Sequence, residues 1–160
     1  MKVIEEGKPD GSLPPGIKSR LSFQTGGYKR GNQEEESLVL WNTFKQCYPT
    51  EEDAIAVLDK NTAVIAPQLN SPSKIIGAYT HLEERFGEEA VVALITKNPG
   101  ILCCTAQALS KQSDEDITKA ADFVVTIEEN KGSVKAFIFA SALSFPLLLG
   151  YRIGVNAGLW

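Results

Sequence analysis

Side chains able to do chemistry are sparse in this chain: one histidine, His81, and three cysteines, Cys47, Cys103 and Cys104, in 160 residues. A catalytic triad needs a base beside a nucleophile, and a tetrahedral metal site needs several His or Cys ligands at set spacing. One histidine removes most of both. No Cys-x-x-Cys occurs, the adjacent pair 103/104 sits in an apolar run and reads as packing, and no GxxxxGKS/T or GxGxxG phosphate loop is present. Carboxylates cluster at 34–36, 51–53, 83–84, 88–89 and 114–116. Most fall where helices are expected to begin, and the positive end of a helix dipole favours them there. They are caps before they are catalysts, so we expect no enzyme.

The elements that position these residues are helical by pattern. Leu38, Trp41, Phe44 and Tyr48 recur at helical spacing over Glu34–Tyr48, and Pro49 stops that run. Thr50 with Asp53 three residues on is a capping pair for a second helix whose apolar residues are Ala54, Ile55, Val57 and Leu58. Ser71-Pro72 marks another start, followed by Ile75, Tyr79, Leu82 and Phe86, with Gly87 as the end. Glu88–Lys97 closes at Asn98-Pro99-Gly100, the run Ile101–Cys104 is apolar, and a short helix is expected around Ala106–Lys111. Ser113 with Asp116 caps a long helix to Glu129, its inner face Ile117, Ala120/Ala121, Val124 and Ile127.

The C-terminal stretch differs from all of these. Ala136–Tyr151 is sixteen residues without a charge, between Lys135 and Arg152. A hydrocarbon core of about 30 Å needs about 20 helical residues. Val134–Ile153 supplies twenty if Lys135 and Arg152 carry their charges to the interfaces. Phe137, Ile138, Phe139, Leu143, Phe145, Leu147, Leu148 and Leu149 each favour insertion by about 0.3–0.6 kcal/mol. They surround the helix instead of forming one stripe, the pattern of a segment buried on all sides. Ser141, Ser144 and Gly150 would let a neighbouring helix approach closely, Pro146 would kink this one, and Tyr151 and Trp160 suit an interfacial belt. A buried core helix is the alternative for this stretch.

Net charge is −4, unevenly spread: residues 1–33 carry six basic and three acidic side chains, residues 34–160 ten and seventeen. An acidic body disfavours nucleic acid, which needs a basic stripe. The first 33 residues hold Gly7, Pro9, Gly11, Pro14, Pro15, Gly16, Gly26, Gly27 and Gly31, so helix is not expected there. We expect an extended arm, ordered by lying on another surface through Leu13, Ile17, Leu21, Phe23 and Tyr28. The N-terminus has no apolar signal core, which implies either a processed chain or one lacking its targeting segment.

A repeat links two of the helices. Residues 51–61 align without gaps on residues 88–98, an offset of 37, and Val64-Ile65 then falls on Ile101-Leu102. Each copy is an acidic start, an apolar helix, a Lys-Asn end, a turn and an apolar pair. At each end Lys suits the negative dipole terminus, and Asn tolerates a left-handed cap. The expectation is therefore all-α: an extended arm over 1–33, a small helical bundle with a repeated helix–turn unit over 34–131, and a single transmembrane helix with its tail over 132–160.

The segment EEAVVALITKNPGILCC, with the apolar tail, resembles small linker proteins of red-lineage algal plastids, such as those of the cryptophyte photosystem I–antenna supercomplex. The likeness covers roughly residues 50–155 and concerns Lys97, Asn98, Pro99, Gly100 and Leu102. It implies a non-catalytic thylakoid subunit that bridges chlorophyll-binding antenna proteins and a photosystem core. It also implies a possible chlorophyll a or carotenoid, although paired Glu/Arg on transmembrane helices, the light-harvesting signature, is absent. A bound chlorophyll would take its magnesium ligand from Glu128, Glu129, Asn130 or Asn156. Contacts with partners are expected at the arm residues, at Lys97–Gly100, and at Phe137, Phe145, Leu148 and Trp160. Lys131 and Lys135 precede the span and Arg152 follows, which puts the body on the stromal side. The same corner resembles the helical repeats of mitochondrial transcription termination factors, so the rival expectation is a soluble helical-repeat adaptor or nucleic-acid-binding protein.

Overall fold

In the computed structural model, residues 2–24 and 33–130 are described, and all their regular structure is helical. Seven α-helices follow in order: α1 (Ile17–Gln24), α2 (Gln33–Phe44), α3 (Glu51–Leu58), α4 (Pro72–Phe86), α5 (Glu88–Lys97), α6 (Ala106–Ser110) and α7 (Asp114–Glu129). Three 3₁₀ segments, Lys45–Cys47, Thr62–Ile65 and Pro99–Cys103, tighten the connections. The chain divides into two compact units, Met1–Asp122 and Phe123–Trp160, with the boundary inside α7.

Local chemistry sets the helix ends. Thr50 Oγ1 accepts from the Asp53 amide at 3.1 Å and donates to the Asp53 carboxylate at 2.7 Å. Ser113 and Asp116 repeat this arrangement with the same two distances at the start of α7. Ser71 caps α4, with Pro72 at its first position. Gly87, at φ +85°, ends α4 and begins α5, a backbone conformation that a side chain would strain.

The core of the first unit is apolar and dense. Trp41, Phe44 and Tyr48 form an aromatic row, with ring centroids 6.2 and 5.0 Å apart, and pack among Ile75, Tyr79, Leu82 and Ile95. The expected first helix ends at Phe44; its last turn is the 3₁₀ segment carrying Cys47.

The arm departs from expectation. Its Gly and Pro residues do disfavour helix up to Gly16, but Ile17–Gln24 is helical. Pro14-Pro15-Gly16 makes a turn in which the Ile17 amide donates to Pro14 O at 3.1 Å. Ile17 and Leu21, one turn apart, are then fully buried in the chain's own core, with half-buried Leu13 against it. Tertiary packing outweighs weak local propensity here. The surface that orders the arm is thus the body itself.

Residues 2–10 run along α2 and the 3₁₀ segment that follows it, whose side chains read their backbone. Gly7 N donates to Thr43 Oγ1 at 2.9 Å, and Asn42 Nδ2 donates to Lys8 O at 2.6 Å and Asp10 O at 2.9 Å. Gln46 both accepts from Glu5 N and donates to Glu5 O, at 3.2 and 3.0 Å. A Cβ on Gly7 would stand 2.6 Å from both Asn42 Cβ and Val39 O, so this close approach requires glycine.

The inner face expected for α7 holds for its first half only. Ile117 and Ala121 are buried, but Ala120 is exposed, Val124 is half-buried and Ile127 is exposed. Among the described residues no helix is long and apolar enough to cross a membrane. The span expected over 134–153 lies outside them.

Candidate functional site

The repeat is a structural unit. The helix ends at Leu58, two residues before Lys60, in the first copy and at Lys97 in the second; an asparagine follows each lysine, and a 3₁₀ turn carries the apolar pair inward. Val64 and Ile65 are fully buried in the first copy, as is Leu102 in the second, with Ile101 nearly so. The asparagines differ from expectation. Asn61 (φ −149°) is extended, and Asn98 (φ −136°) is likewise not left-handed. Their work is at the next element: Asn61 Oδ1 accepts from Ala63 N and Asn98 Oδ1 from Gly100 N, both at 3.1 Å. Each caps a 3₁₀ turn, and Pro99 behind Asn98 holds that residue out of the helical region. The copies meet at these corners, since a Cβ on Gly100 would lie 3.5 Å from Asn61 Nδ2.

The lysines also reach outward. Lys60 Nζ donates to Thr96 O at the end of α5, 3.3 Å away, joining the first copy to the second. Lys97 Nζ pairs with Asp122 Oδ1 on α7 at 2.8 Å, both side chains about half exposed.

Between the Asn98–Gly100 corner, α6 and the first half of α7 lies a cleft of about 290 Å³. Ile101, Leu109 and Ile117 form its floor, and Asn98, Gln112 and Asp116 its polar edge. Sites for drug-sized molecules run from about 300 to 1,000 Å³, so this one suits one or two side chains and not a tetrapyrrole ring. Arg85, which the sequence pattern did not single out, fixes its wall. From α4 its guanidinium donates to Leu109 O and Gln112 O, each at 3.0 Å, and pairs with the Asp114 carboxylate. Those three acceptors bracket the α6–α7 turn.

A second polar group sits beneath the N-terminus. Lys2 N donates to Glu83 Oε1 at 2.6 Å and Lys2 Nζ to Tyr48 O at 3.1 Å. Glu83 is 6% exposed; its Oε2 and the fully buried Tyr79 Oη have no hydrogen-bond partner among the described residues. Burial pushes the Cys47 thiol up to about 12, against a smaller opposing pull from Lys2. Burial, then the charge of Glu83, pushes the Tyr79 phenol up to about 12, and burial likewise raises Tyr48. Burial also raises Cys103, followed by the neighbouring Cys104. A thiol held protonated is a poor nucleophile, so Cys47 acts as packing.

The remaining expected positions separate. Ile17 and Leu21 are spent on the chain's own core and present nothing to a partner, a correction to their expected role. Pro99 is buried, Asn98 and Gly100 are half-buried, and Lys97 is exposed. Glu129 and Asn130 are exposed at the end of α7, where Asn130 Nδ2 donates to Thr126 O at 2.8 Å. The side chains of Phe23 and Glu128, and residues Tyr28, Phe137, Phe145, Leu148, Asn156 and Trp160, lie outside the described residues. No known protein family, curated protein or solved structure matches this chain.

Proposed function

We propose that this chain is a non-catalytic linker subunit, a helical body tethered to a membrane through residues 132–160. The observation that carries this reading is the joining of two unlike parts. One is an acidic body whose described core closes around its own aromatic residues between Ile4 and Ala121; the other is a sixteen-residue uncharged stretch. The cleft at Asn98–Ile117 is the body's contact point, sized for an apolar side chain of a neighbouring subunit. Because the Lys97–Leu102 corner resembles those linker proteins, the site of action we propose is the thylakoid, bridging antenna proteins and a photosystem core, photosystem I first, with the body on the stromal side. A chlorophyll a at the membrane edge would take its ligand from Glu128, Glu129, Asn130 or Asn156, of which Glu129 and Asn130 are exposed at the end of α7; a carotenoid would need none.

The test is co-migration. The chain should resist carbonate extraction and run with a pigmented complex on a mild-detergent gradient. Release by carbonate, or migration alone away from pigment, would overturn the reading.

One observation favours a second reading. The two helix–3₁₀ copies stack corner to corner, as units of a helical-repeat adaptor do. The acidic body argues for a protein ligand over nucleic acid, so an electrophoretic shift with RNA or DNA is expected to be absent at low salt.

A further inference from the structure

The last two turns of α7 carry apolar side chains that the fold leaves uncovered. Phe123 is 63% exposed and Ile127 36%, and four-residue spacing puts them on one face. At about 100° per residue, the helix positions of Asp122, Glu128 and Glu129 all fall about 100° or more from the line joining them. The face is therefore free of carboxylates at its centre. Both residues belong to the C-terminal unit that begins at Phe123.

Chain length limits where this face can be. Ile127 precedes Val134 by seven residues, and an extended chain covers at most about 3.6 Å per residue. If Val134 enters hydrocarbon, Ile127 stays within about 25 Å of it, or about 10 Å if the helix continues. Lys131 and Lys135 lie in the interval, and both favour an anionic lipid surface.

We propose that this face of α7 lies in the lipid headgroup layer, with Phe123 and Ile127 entering the acyl boundary as a second, interfacial anchor. The inference rests on the membrane reading above and adds a contact which that reading does not need. An interfacial helix sets the tilt of the body on the bilayer, which a single span leaves undetermined.

The test uses the full chain in vesicles of phosphatidylcholine and phosphatidylglycerol brominated on the upper acyl carbons, in a Trp160→Phe background that retains buried Trp41. With Phe123→Trp, the added emission should shift to the blue and be lost to bromine quenching. With Glu129→Trp, on another side of the same helix, it should survive. A carbonate-resistant chain whose Phe123→Trp emission is unquenched overturns the interfacial contact and leaves the anchor standing; shielding by a partner protein would give this result in the intact complex. Equal quenching of both variants means that the whole helix end is immersed, which also overturns a defined face. A chain that washes off the vesicles overturns the anchor reading together with the contact.

Discussion

Asn61 and Asn98 act at the scale of single hydrogen bonds. Each accepts from the amide of the second residue of a 3₁₀ turn, Ala63 or Gly100, both half-buried. Asn61→Ala and Asn98→Ala should each cost about 1 kcal/mol, read from urea midpoints. Because the two corners touch, the double variant should depart from additivity. A large, additive loss would mean that the corners act separately. The asparagines were visible in the sequence as a pair of matching ends, but their conformation was not. A residue before proline avoids the helical region, and that signal was present at Asn98-Pro99. Nothing comparable marks Asn61.

At the scale of elements, Arg85 ties α4 to the α6–α7 turn with a planar fork that lysine cannot reproduce. Arg85→Met should lower stability by about 2 kcal/mol and raise amide exchange in α6 above that in α3. Arg85→Lys should recover only part of the loss. The arm makes a sharper prediction. Gly7→Ala drives a methyl into Asn42 and Val39, so residues 2–10 should detach and a glutamyl endopeptidase should cut rapidly after Glu5 and Glu6, while the aromatic core stays folded. Slow cleavage in that variant would mean that another contact holds the arm.

The helix starts at Thr50 and Ser113 were legible because an acid lies three residues after the cap, and the start at Ser71 because proline follows it. Helix α1 was not, since Ile17 and Leu21 are helical on account of what they pack against across the chain. Arg85 and the Asn42, Thr43 and Gln46 side chains were missed for a related reason: their partners are backbone groups 24 to 41 positions away, which leave no spacing to read. The cluster of amides and hydroxyl at 42, 43 and 46 beside an apolar helix stripe was the one available hint.

For the whole molecule, buried acids set an alkaline limit. Cys47 has an ordinary value of 9.0 and is pushed up to about 12 in the fold, and Tyr79 moves from 10.0 to about 12. Above those ordinary values the unfolded chain gives up protons that the folded chain keeps, so it gains relative to the fold as pH rises. Stability from these groups should be intact below about pH 9 and fall progressively toward pH 12. Melting temperature against pH checks this, and Cys47→Ala should move the onset of the decline upward by removing the earlier titration. An unchanged onset would assign it to Cys103, whose thiol burial also raises from the ordinary value of 9.0. Acid conditions impose no comparable penalty through these groups.

The berth along α2 has a consequence for how the first ten residues can vary. What holds them is mainly peptide groups, with the Lys2 ammonium on Tyr48 O, the Asp10 carboxylate on Asn42, one buried isoleucine and one absent side chain, while Val3, Glu5, Glu6 and Lys8 are exposed. Almost any spelling that keeps Lys2, Ile4, Gly7 and Asp10 should settle there equally well. Tags, reporters or altered charges can therefore be written into those outward letters without disturbing the body they rest on.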